Sequence, residues 1–180
     1  DQKILAGINR RIETGKLTLG NSLAVTYSYS NAHDEILNND YSIYNYVADK
    51  PSFLNEFSDL QYSTTARSAI MNNTSLYLGS NTKLEFRNLL NQSGTSRYTT
   101  RNGREWYNNG RYIRSDELRY MSRLVYTGQL AGEHTFSKNQ KSKIEWVAGY
   151  AFSNKKEPDT RRFRYIRDQV DTTRYMLLFS

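Results

Sequence analysis

The sequence predicts an all-β fold of antiparallel strands of the kind that wall a transmembrane β-barrel, on three grounds: polar composition, two-residue alternation, and connectors that, the last pair aside, alternate between short and longer. Hydrophobic residues make up 37% of the 180 residues, and the mean hydropathy is -0.79. No stretch approaches the roughly 20 consecutive apolar residues that a spanning helix needs. Even the run from Met176 to Phe179 soon ends. Insertion as helices is therefore excluded. A barrel escapes this test, because alternate residues meet lipid while the others line a polar lumen. Aromatic residues make up 13% and include 15 Tyr, whose ring suits the boundary between apolar and wet surroundings. A soluble β-sandwich, such as a surface-associated glycan-binding or adhesin-like module, shares that composition, so the pattern along the chain decides.

Residues 3–11 read as a first strand, closed by a short connector at 12–15. Residues 16–30 give the clearest alternation, with Leu17, Leu19, Leu23, Val25, Tyr27 and Tyr29 on one face and small or polar residues on the other. Residues 33–61 read as a long outer loop; a segment of that length has room for a short helix or extra strands and is expected to fold partly over the barrel. Residues 62–78 alternate poorly but read as a strand, then comes a short connector at 79–82. Leu84, Phe86 and Leu90 set the phase of a strand at 83–99, and a longer loop is expected at 102–112. Leu118, Tyr120, Leu124, Tyr126 and Leu130 then alternate with Arg119, Arg123, Thr127, Gln129 and Glu133. A charged inner face would be unusual in a packed sandwich, whereas a water-filled lumen accepts it. After a short connector at 137–142, Ile144, Trp146, Ala148, Tyr150 and Phe152 form the next apolar face. A polar connector at 154–160 contains Pro158, and residues 161–180 read as a last strand that 168–172 interrupt. On this reading Leu23, Val25, Tyr27, Leu124, Tyr126, Ile144 and Trp146 face lipid, while Arg119, Arg123, Gln129 and Glu133 face the lumen. Lys16 and Lys143 begin strands near the periplasm, and the long connectors lie outside. Short inner turns and long outer loops are the barrel habit.

Catalytic chemistry is hard to place. With no Cys there is no thiolate metal site or Cys nucleophile. His33 and His134 have no partner at metal-ligand spacing. Glu13, Glu35, Glu56, Asp59, Asp116 and Glu117 fall mostly in turns, loops or strand ends, and Asn38, Asn39 and Asp40 lack the full spacing of a calcium loop. No phosphate loop or nucleophile elbow is found. Neither an enzymatic activity nor a cofactor is expected. The formal charge is +7, with Lys and Arg scattered among Asp and Glu, so no nucleic-acid partner is expected. Arg97, Arg101, Arg104, Trp106, Tyr107, Arg111 and Tyr112 gather basic and aromatic residues around one stretch, which reads as a barrel rim rather than a nucleic-acid grip. Tyr44, Tyr46, Arg104, Trp106, Tyr107 and Arg111 are the candidate ligand-facing residues.

The stretches KLEFRNLLNQ (83–92), TTRNGREWYNNG (99–110), LRYMSRLVYTGQLAGEHTF (118–136) and IEWVAGYAFSNKKEPDTRR (144–162) resemble the barrel of Bacteroidetes-type TonB-dependent outer-membrane receptors. The resemblance is good over about residues 62–162, rests on strand and turn patterns, and says nothing of substrate. It implies a barrel of about 22 strands, of which this chain supplies about seven. Residues 1–180 are then expected to be a segment of the barrel domain, without the plug, the TonB-contact segment or a signal peptide. The function implied is uptake of a scarce small molecule or glycan, such as a siderophore or cobalamin, across the bacterial outer membrane. The partners implied are the lipid bilayer, the ligand, TonB through a region outside this chain, and a surface lipoprotein.

Overall fold

The computed structural model describes residues 1–136, 142–167 and 175–178. They form seven strands: β1 (Gln2–Thr14), β2 (Leu17–Asn45), β3 (Lys50–Leu78), β4 (Thr82–Glu105), β5 (Arg111–Thr135), β6 (Lys143–Arg167) and β7 (Met176–Leu178). All belong to one antiparallel sheet in sequence order, β1 to β7, with no helix among the described residues. Tight turns make this order possible. Gly15 and Gly79 take φ values of 59° and 63°, a left-handed conformation that glycine adopts without a Cβ clash.

The largest departure from the sequence reading is the long loop expected at 33–61. It is a continuation of β2 and β3, which run on to Asn45 and from Lys50 and leave only residues 46–49 as a turn. Cross-strand pairs hold this hairpin: Asn31 with Thr64 at 2.8 Å, His33 stacked on Tyr62 at 4.4 Å, Asp40 with Asn55 at 2.8 Å, and Tyr41 against Phe53 at 4.9 Å. The loop expected at 102–112 shrinks likewise to a turn at 106–110, and the connector at 154–160 lies inside β6. The strand read at 62–78 is present within β3. Residues 137–141 of one expected connector, and the interruption at 168–172, lie outside the described residues.

The described residues divide into two compact units, residues 1–30, 66–94 and 122–156 in one and 31–65, 95–121 and 157–180 in the other. In the first unit the pairing of β1 with β2 puts Ile4, Ala6, Ile8 and Ile12 opposite Tyr27, Val25, Leu23 and Leu19, so these eight residues share one face. Lys3, Asn9, Arg11 and Glu13 stand on the other face with Ser28, Ser22, Gly20 and Thr18. The apolar face is uncovered: Ile4 is 63% exposed, Ile8 62% and Ile144 54%. A polar row crosses it, in which Asn21 donates to Thr74 at 2.8 Å and Tyr126 to Asn88 at 2.7 Å.

The second unit contains the two hydrophobic residues that are buried among those described, Phe57 and Ile113, together with buried Asp59 and Glu105. Here β6 changes phase. Odd-numbered Glu157 pairs with odd-numbered Arg119, but further on even-numbered Arg162 pairs with Glu117, and Arg167 lies over the Tyr112 ring. Alternation therefore slips by one residue between Glu157 and Arg162. Pro158, which donates nothing to the ladder, lies within this stretch.

Candidate ligand groove

In the second unit, strand alternation puts Phe57, Asp59 and Gln61 of β3 on one face with Arg97, Thr99, Arg101, Gly103 and Glu105 of β4 and Arg111, Ile113, Ser115 and Glu117 of β5. Contacts between these strands establish the register. Asp59 takes both Nε and Nη2 of Arg101 at 2.7 Å, and the Phe57 ring packs against Gly103, where any Cβ would collide with it. This bidentate pair is largely buried on its acidic side. The hydrogen bond from Arg101 to Asp59 raises the guanidinium pKa above its usual value, against the opposing effect of burial. The same guanidinium sits 5.0 Å from the centre of the Phe57 ring.

Glu105, 5% exposed, accepts from Arg111 at 2.9 Å and is also bonded by Arg164 of β6, while Arg162 bonds Glu117. Glu105, Glu117, Arg162 and Arg164 line a cavity of about 430 Å³ with Phe57 and Ile113 among its walls. Such a volume accommodates a small organic ligand.

On the opposite face of the same unit, Arg104 lies between Trp106 and Tyr112, at 5.0 and 4.1 Å from the ring centres. Arg167 continues the series, over Tyr112 at 4.5 Å and Tyr175 at 5.1 Å. Asp116 there accepts from Tyr98 at 3.0 Å and Thr100 at 2.9 Å. Thus the basic and aromatic residues that read in sequence as one rim divide between two faces, with Arg97, Arg101 and Arg111 on the groove side and Arg104 and Tyr112 on the other.

Among the residues expected to face ligand, Arg111 alone reaches the groove, through Glu105. Tyr44 donates to Asp49 at 2.7 Å, which raises its pKa, and its ring meets Tyr46 edge-on at 5.2 Å. Tyr46 and Tyr107 are exposed. Trp106 donates to Glu56 at 3.3 Å.

Of the residues expected to face the lumen, Arg119 donates to Glu157 at 2.8 Å and Glu133 pairs with Lys143 at 3.1 Å. Arg123 and Gln129 occupy the same side of β5 by alternation, opposite to Leu124 and Tyr126. Leu23, Val25 and Tyr27 lie on the apolar face of the first unit, as the β1–β2 register requires. Ile144 and Trp146 share one side of β6, and the Trp146 indole covers Gly132 and stacks on His134 at 6.5 Å.

Asp59, Glu105, Glu117 and Arg164 went unrecognised in the sequence as partners. A weak signal was present, since Arg97, Thr99, Arg101, Gly103 and Glu105 follow the two-residue period. Among the described residues no group of His, Asp and Glu is arranged to hold a metal ion. The chain matches no protein-family model, and no similar protein was found among curated ones.

Proposed function

We propose that the first unit forms part of the lipid-facing wall of a bacterial outer-membrane barrel and that the second takes part in capturing a nutrient for uptake. The observation that carries this reading is the uncovered apolar face of Ile4, Ile8, Leu23, Val25 and their neighbours, alternating with a polar face within a single sheet. A water-soluble sandwich needs a second sheet over such a face; lipid covers it without one. Strand length agrees. β2 and β3 have 29 residues each, whereas a tilted crossing takes about 9 to 11, which leaves ample strand for a part outside the membrane.

In this reading β1 and β7, each paired on one edge only among the described residues, continue into further strands of the parent protein. Hydrocarbon tolerates no unpaired strand edge. Energy for import would come through TonB contacting a region outside this chain, and a surface lipoprotein would assist capture. The residues here hold and admit ligand without transforming it.

The test is fractionation of cells that express the full-length parent, followed by electrophoresis with and without heating. The expected result is an outer-membrane species whose mobility shifts on heating. A water-soluble protein with no shift would overturn the proposal and favour the sandwich module.

A further inference from the structure

We infer that the groove of the second unit binds an anionic, hydroxylated small molecule of mono- or disaccharide size, whose carboxylate or phosphate is held by Arg97. Charge pairing around the groove is specific. Arg101 is neutralised by Asp59, Arg162 by Glu117, and Arg164 shares Glu105 with Arg111. Arg97 lines the same cavity and has no ion-pair or hydrogen-bond partner among the described residues. An exposed arginine alone is ordinarily just solvated. What sets this one apart is its company.

Gln61, Thr99 and Ser115 line the cavity with it, and their side chains also lack hydrogen-bond partners among the described residues. An amide and two hydroxyls left open beside a free guanidinium match a ligand that carries one anion on a body of hydroxyl groups. Phe57 and Ile113 add apolar wall for the carbon skeleton. The guanidinium fork grips carboxylate and phosphate alike in two parallel hydrogen bonds. A cationic ligand is disfavoured, because both carboxylates of the lining, Glu105 and Glu117, are already engaged by arginine.

The inference rests on the receptor reading above, of which it names the substrate class. Its test is titration calorimetry on the detergent-purified full-length protein with glucuronic acid, glucose 6-phosphate and glucose as probes. At least one anionic probe should bind about tenfold or more tightly than glucose, and Arg97→Gln should remove that preference. Arg97→Lys, which keeps the charge and loses the fork, should fall between, and Arg11→Gln in the first unit should change nothing. Preference for glucuronic acid identifies a carboxylate ligand; preference for glucose 6-phosphate identifies a phosphate. Equal binding of glucose, no binding of any probe, or an anion preference that survives Arg97→Gln overturns the inference. Heat-modifiable mobility of the same preparation separates the two ideas: a shifted band without anion preference sinks the groove assignment alone, and anion binding by a soluble, unshifted protein sinks the barrel alone.

Discussion

The two units draw on the same strands and spend their side chains differently. In residues 1–30, 66–94 and 122–156, alternation sets most Ile, Leu, Val and aromatic residues apart from Ser, Thr, Lys and Glu, with Leu5 on the polar face and Arg10 on the apolar one as exceptions, and no large apolar side chain is buried among the described residues. In the other unit the buried groups include two carboxylates, each gripped by arginine, and both faces carry polar networks. The difference shows what each unit asks of its surroundings. A face of uncovered isoleucine and leucine is stable only against an apolar phase, whereas a sheet tied by ion pairs and cross-strand hydrogen bonds remains stable with water on both sides.

Three sets of substitutions would break or sharpen that contrast. The largest effect is expected from Val25→Arg or Leu124→Arg in the full-length protein, each of which places a charge on the apolar face. Arginine near the bilayer midplane costs about 2 to 4 kcal/mol, so the heat-modifiable band should be lost from the outer-membrane fraction. Arg123→Gln, on the opposite side of the same strand, should leave that band intact, and equal tolerance at the three positions would undo the assignment of faces. A smaller effect is expected in the second unit from Glu105→Ala, which strands Arg111 and Arg164. Its cost should be about 1 to 3 kcal/mol, reduced because both arginines are partly exposed. Limited proteolysis should then cut residues 95–121 sooner while membrane assembly is retained. Smallest of all should be Tyr44→Phe at the exposed hairpin tip, with no measurable change in melting temperature. The Asp49 hydrogen bond raises the Tyr44 pKa, so any contribution it makes is present below about pH 10 and lost as pH rises through the higher folded value. A difference between wild type and variant that grew toward acid would contradict this sign.

Much of the first unit was legible because one of its faces is apolar. Leu17 to Tyr29, Leu124 to Leu130 and Ile144 to Phe152 announce strands by that alternation alone. The hairpin at 33–61 was hidden for the converse reason. Its cross-strand partners, Asn31 with Thr64 and Asp40 with Asn55, are polar, so β2 and β3 continue while the hydrophobic signal stops. The groove was harder still. Asp59 and Arg101 are 42 residues apart, and only the register of β3 against β4 brings them together. Register is weakly written in strands whose two faces are both polar. The same gap explains why Arg97, Arg101 and Arg104 read as one cluster although alternation sends Arg104 to the other side.

The slip in β6 makes the end of that strand depend on a count rather than on composition. Past the slip, Arg162 and Arg164 join Glu117 and Glu105, while the residues between them turn the other way. Deleting a single residue between Glu157 and Arg162 would act on this sheet as a frameshift acts on a message. Every side chain would keep its identity and change its side, with Phe163 and Tyr165 delivered to the carboxylates and both arginines removed from them.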